Sequence, residues 1–292
     1  IEDTDVSRLL DAAGGAPGAS AAAADATLDD LMSPLSLPAA LRAVMRVAGP
    51  SLEKVLPFDP RAYRAEKLGQ RDGGLRGTAL EVARWFGIGD VELWITPGAP
   101  RVCVPVSGGP PVALMIGRDL LAIDERERAF VIARALKIAR DGLSVAVRSQ
   151  PQDLALAMAG LVHSFDPHYQ PPGIDPAALA DWSRRIVRQL PRRVADELGP
   201  VVFEMAGSHD YDPARMAMAA SELGDRVALL ALGSVPAALS ALLKLSGEPG
   251  LAETSSARVA QLRRFPEVLA LASFAVSDLH FEARSRAGLD RT

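Results

Sequence analysis

Cysteine is all but absent from this chain. The single Cys103 cannot close an intrachain disulfide and alone supplies no metal or redox framework, so a reducing compartment, and with it a cytoplasmic location, is expected. Lysine is scarce as well: four residues, Lys54, Lys67, Lys137 and Lys244, stand beside many arginines. That bias reads as nucleotide composition rather than phosphate binding. A net charge of −4 removes any global attraction to nucleic acid or to an anionic membrane. No run approaches the roughly 18 uninterrupted apolar residues of a membrane helix. The most apolar segment, residues 227–236, is broken by Gly233 and Pro236. The opening Ile1-Glu2-Asp3 has no basic n-region, so no secretory leader is expected. Because no initiating methionine is present either, the chain is expected to be a processed form or a segment of a longer protein. No internal repeat of fixed period is visible, which argues against a solenoid within these residues.

What is present is an ordinary globular composition. With 49% hydrophobic and 23% charged residues, the 292-residue chain has material for a sizeable core. Residues 13–27 are small and of low complexity; they bury too little to offset their ordering entropy, so residues 1–37 read as a flexible linker or tail. Leu41, Val44, Met45, Leu52 and Val55 have helical spacing, and Gly49-Pro50 predicts a break into two short helices. Residues 69–74 read as a polar, Gly-rich turn, and a helix is expected over 78–86. Three short β-rich runs follow, at 91–96, 101–106 and 111–116, divided by Pro/Gly turns. Beyond Asp119 helices are expected at 124–141, 151–164, 176–190, 192–206, 213–232, 235–246, 256–264 and 266–285, with Asp124, Asp153 and Asp212-Pro213 as caps or first turns. The fold class is therefore α+β, predominantly α: a sheet of about three strands on a helical domain over residues 38–292.

This order of elements resembles a family. Pro111-Val-Ala-Leu-Met-Ile-Gly-Arg-Asp-Leu-Leu121 and Ile123-Asp-Glu-Arg-Glu-Arg-Ala-Phe-Val-Ile132 are similar to the strand, step and helix approach of the gluzincin zinc peptidases that include prenyl-protein-processing and heat-shock membrane endopeptidases. Downstream, Ala220-Ser-Glu-Leu-Gly-Asp-Arg-Val-Ala-Leu-Leu230 resembles the helix of the third zinc ligand, with the Pro-initiated segment 235–245 behind it. There Glu222 precedes Asp225 by three positions rather than the family's four, and strict counting puts Ser221 at the ligand position. The resemblance covers a core of about residues 75–247. A similar degenerate domain occurs at the C-terminal end of some large bacterial tetratricopeptide-repeat proteins.

The same resemblance implies a dead site. Where the family has His-Glu-x-x-His, this chain has Arg134-Ala135-Leu136-Lys137-Ile138. Arginine has no lone pair to give, isoleucine has no donor atom, and alanine cannot act as a general base. No metal and no cofactor are expected. For Arg134 two readings stand side by side. Its head group snorkels to solvent from a mostly apolar helix, or it takes the place of the metal and pairs with Asp225 or Glu222, since a buried guanidinium requires a partner.

Other constellations weigh less. His163, Asp166 and His168, with His209 further on, match no standard zinc spacing, and Asp166-Pro167 marks a helix end. Ser107-Gly-Gly-Pro-Pro111 lacks the features of a phosphate loop and reads as a hairpin connection. Ser144, Ser164 and Ser208 have no evident base. Cys103 reads as a small core residue, and Arg184, Arg185, Arg188, Arg192 and Arg193 as the solvated face of an amphipathic helix. In active relatives an edge strand of the sheet holds extended substrate by backbone pairing. The resemblance therefore implies a surviving peptide-binding edge at Val91, Leu93, Trp94, Val102 and Val104.

The expected function is a catalytically inactive, peptidase-like module that binds a protein partner or serves as a scaffold in a larger protein. Two alternatives remain open: an enzyme with a different site near His163, Asp166, His168 and His209, or a structural cap on a helical-repeat array. Partner identity and oligomeric state are not encoded in any readable motif.

Overall fold

Residues 26–69, 73–207 and 212–289 are described by the computed structural model of the protein. Their order is helical, then β-rich, then helical again. Helices α1 (Ala26–Met32) and α2 (Ala39–Val55) precede the first strand, and α3 (Gly73–Trp85) lies between the first and second strands. The strands are β1 (Glu66–Lys67), β2 (Val91–Thr96), β3 (Cys103–Ser107) and β4 (Val112–Gly117). Ten helices follow: α4 (Glu125–Arg140), α5 (Ser144–Arg148), α6 (Pro151–Phe165), α7 (Pro176–Gln189), α8 (Arg192–Gly207), α9 (Pro213–Leu232), α10 (Val235–Leu245), α11 (Ser255–Arg264), α12 (Pro266–Ala275) and α13 (Asp278–Arg286). The fold is α+β and predominantly α.

The sheet is mixed, in the order β1-β2-β4-β3. Strand β4 is the central one: parallel to β2 from Val91↔Val112 to Thr96↔Gly117, and antiparallel to β3 through Cys103↔Ile116. All six residues of β4 are buried, as expected of a strand covered on both faces. The fourth strand escaped the sequence pattern because it is only two residues long. Glu66 and Lys67 pair with Ile95 and Trp94, and two exposed charged residues carry no β signal of their own.

Three helical expectations are corrected. Of the tail read over residues 1–37, the described part belongs to the folded body: Ala26–Met32 is helical, and Leu28, Met32 and Leu37 are buried in the core. The low-complexity stretch 13–25 lies outside the described residues. Gly49-Pro50 does not divide α2, which runs unbroken with Pro50 inside it. Gly49 is there for packing, since a Cβ on it would stand 2.4 Å from the Gly142 carbonyl oxygen. Conversely, residues 266–285 form two helices, because the Ser277 hydroxyl caps a new one from the His280 amide. The break leaves the Ala275 carbonyl to accept from His280 Nδ1 at 2.8 Å.

Helix α4 is the spine of the molecule, packed against α3, α9, α10, β3 and β4. Asp124 and Glu127 form a complete capping box at its start. Positions 129–133 and 135–139 are all buried, so the helix has no true solvent face. Among them is Lys137, 1% exposed, whose ammonium donates to Asp29 of α1 at 2.6 Å. It also forms an ion pair, without hydrogen-bond alignment, at 2.8 Å from Asp141. Arg46 of α2 completes the cluster, 2.8 Å from Asp29 and 3.3 Å from Asp141. At the other end of α4, Glu127 accepts from Lys244 and Ser240 of α10. Both clusters fasten this spine to its neighbours by buried, mutually neutralising charge.

Candidate functional site

The positions singled out in the sequence come together where α4 crosses α9. Gly224 allows the crossing: a Cβ there would lie 3.1 Å from both the Arg134 carbonyl and the Ile138 side chain. Ala135 and Ile138 are buried in that contact. Arg134 turns toward α9 instead, and its Nε donates to Asp225 Oδ1 at 2.5 Å. The pair is shielded, with side-chain exposures of 18% for Arg134 and 6% for Asp225. Of the two readings of Arg134, the carboxylate contact is the one formed, and its partner is Asp225. Glu222 goes elsewhere, accepting from Arg226 one helical turn on. Ser221 stands beside the pair and lines the adjacent cavity.

Burial and charge set the chemistry of Asp225. Desolvation lifts its carboxyl to about 6 from an ordinary 3.8, against the opposing pull of the Arg134 guanidinium, and Glu222 and Glu267 push it further up. Among the described residues, the Nη atoms of Arg134 and Oδ2 of Asp225 have no hydrogen-bond partner, yet none of these atoms is sealed from solvent. They open onto a cavity of about 520 Å³ between α4, α5, α9, α10 and α12.

A zinc centre does not fit this arrangement. The helix positions that would supply ligands and base hold Arg134, Ala135 and Ile138, and the last two are packed against neighbouring groups. No group of three or more His, Cys, Asp or Glu side chains among the described residues has the geometry to hold a metal. Cys103 is buried close enough to feel the Arg134 charge, but desolvation pushes its thiol up to about 12, far from a reactive thiolate.

The sheet redistributes the residues read as a binding edge. Leu93 and Trp94 lie where β2 is flanked on both sides, by β4 and by β1 with the Leu68 amide on the Leu93 carbonyl, so they are not on a free edge, whereas Val91 lies beyond the reach of the two-residue β1. Sequence order does not reveal strand order, and the parallel β2–β4 pairing is what moves β3 to the outside. Val104 is on that edge strand and Val102 immediately precedes it. Because the Gly117 amide donates to the Val102 carbonyl, the alternation turns the backbone of Cys103 and Pro105 away from β4. Proline has no N–H, so this edge offers one donor and two acceptors. At about 1 kcal/mol for each hydrogen bond, that is a weak strand-pairing surface.

The histidine cluster has local work. His163 Nδ1 lies 3.0 Å from the Tyr169 carbonyl, and Asp166 accepts from the His168 amide in the turn after α6. His209 and Ser208 lie outside the described residues, as do residues 70–72 of the turn read at 69–74; Gly73 and Gly74 of that turn instead begin α3. In the basic cluster, Arg185 does not face solvent alone; it donates to the Val55 carbonyl and stacks on Trp182. Sequence reasoning missed the Lys137–Asp29–Asp141 cluster and the role of Glu267. The signal for the first was a lone lysine inside an uninterrupted apolar helix. Glu267 carried no signal at all, since nothing in the pattern brings α12 to Asp225. Compared with known proteins, the chain matches no family model, and neither a curated protein nor a solved structure is significantly similar to it.

Proposed function

We propose that this chain is a catalytically inactive, peptidase-like module that binds a protein partner or acts as a scaffold within a larger protein. The observation that supports it is the Arg134–Asp225 ion pair at the α4–α9 crossing, where hydrolysis of this class requires two imidazoles, a carboxylate base and an open metal position. Arg134 stays protonated and can neither bind a metal nor accept a proton from water. One feature remains suited to binding: the cavity beside the pair.

The test has two arms. Purified protein equilibrated with zinc and dialysed is expected to hold well under one equivalent and to leave an unfolded casein substrate intact. Stoichiometric zinc, or zinc-dependent cleavage abolished by Arg134→Ala, would overturn the reading. In the second arm, affinity capture with the full-length protein is compared with the same protein lacking residues 75–247. An unchanged set of partners after deletion would assign the binding to some other segment.

A further inference from the structure

The charges around the cavity beside Arg134 do not balance. Its walls are apolar, from Val147 of α5, Met218 of α9, Leu242 of α10 and Leu271 of α12. Its floor is the Arg134–Asp225 pair, in which one positive charge answers one negative. Two further carboxylates line it, Glu222 on α9 and Glu267 on α12. Arg226, which is not part of the lining, engages one oxygen of Glu222. Among the described residues Glu267 has only the Ser246 hydroxyl as a hydrogen-bond partner, at 3.1 Å, and it is exposed. The cavity thus combines an apolar throat, bordered by the exposed Met218, with an excess of negative charge that is felt as far as Asp225.

We propose that this cavity binds an alkylammonium group presented by a partner protein, the chemistry of a lysine side chain. The methylene stem lies against Met218, Leu242 and Leu271, and the ammonium reaches Glu267 with Glu222 behind it. A flexible methionine at the mouth adapts to such a stem. A compact point charge with rotatable donors suits two carboxylates on different helices better than a rigid planar fork does. The volume, about 520 Å³, falls in the range of ordinary ligand sites and leaves space for flanking backbone. The proposal rests on the reading of the chain as a protein-binding module and gives that module the chemistry of its partner.

The experiment is an NMR titration of the whole chain at low salt with three probes: Nα-acetyl-lysine N-methylamide, its Nε-acetylated counterpart, and n-pentylamine. The capped lysine is expected to shift resonances of α9 and α12, and the Nε-acetylated probe to bind at least fivefold more weakly. Glu267→Gln, at an exposed position where folding is not at risk, is expected to weaken the capped lysine about fivefold. Ala270→Trp, which fills the cavity, should abolish binding; its unfolding midpoint shows whether it remains folded, and Glu267→Gln decides the matter if it does not. Equal binding of the Nε-acetylated probe, or no effect of Glu267→Gln, overturns the proposal. Binding of n-pentylamine without the capped lysine overturns it too, assigning the cavity to free amines. Failure here leaves the zinc and casein results untouched, whereas turnover in that assay would remove the module reading whatever the cavity binds.

Discussion

Replacing Arg134 by methionine keeps most of the apolar stem and removes the one cation beside Asp225. The consequence is set by pH. In the folded protein the Asp225 carboxyl is raised to about 6 from 3.8, so the stability it contributes is fully present below 3.8 and is lost as pH climbs through about 6. At about 1.4 kcal/mol for each tenfold change in protonation, that loss totals about 3 kcal/mol and levels off above pH 6. Without the guanidinium, desolvation, Glu222 and Glu267 all still push the carboxyl upward and nothing opposes them. The loss then continues at about 1.4 kcal/mol per pH unit until the new, higher midpoint is reached. The gap between wild type and Arg134→Met should therefore be small near pH 5 and widen by about 1.4 kcal/mol per pH unit above pH 6 until that midpoint is reached. Urea unfolding followed by tryptophan fluorescence, at half-unit steps from pH 5 to 8.5, measures it. Asp225→Asn should abolish the pH-dependent part. A gap of equal size at pH 5 and pH 8 would show that Arg134 does not compensate Asp225 in solution.

Three further outcomes follow from the packing. Lys137→Met leaves Asp29 and Asp141 buried with only the half-exposed Arg46 and should cost on the order of 3 kcal/mol; a loss below about 1 kcal/mol would contradict the buried-cluster account. Burial lowers the His280 pKa from 6.5, helped by Arg284 and opposed by the Ala275 hydrogen bond, and Nε2 has no partner. Its contribution to stability is present above pH 6.5 and declines as pH falls below it, opposite in sign to that of Asp225; His280→Gln should remove this decline, and a curve parallel to wild type would refute it. Gly142→Ala and Gly288→Ala place a side chain at the same positive φ of 71°, but a Cβ on Gly142 would lie 2.1 Å from the Met45 carbonyl oxygen, whereas among the described residues nothing lies within 4 Å of one on Gly288. The second should cost about 1 kcal/mol and the first at least about 2 kcal/mol more, measured by thermal unfolding.

Much of the fold was legible because local signals agreed with the tertiary outcome. The capping pair Asp124 and Glu127, the proline starts of α6, α7, α10 and α12, and the three β-rich runs all mark their elements in the sequence. Expectations failed where a contact from far along the chain decided the matter. The Gly49-Pro50 pair does not break α2, where Gly49 meets Gly142 from far along the chain, and Leu28, Met32 and Leu37 are buried in a core built largely by later residues. Two exposed charges at Glu66 and Lys67 became a strand only because the neighbouring part of β2 was free to pair.

The helix from Glu125 to Arg140 shows the same division. Composition and spacing alone determined that it is a mostly apolar helix with Asp124 at its start, and that residues 134–138 contain no imidazole, thiol or carboxylate. Those are properties of the residues themselves and hold in any fold. Only the tertiary structure decided that Arg134 meets Asp225 rather than Glu222, that Lys137 is buried between Asp29 and Asp141, and that Glu267 arrives beside them. A charge takes its meaning from the groups within a few ångströms of it, and here those groups come from helices as much as 133 residues apart in the chain.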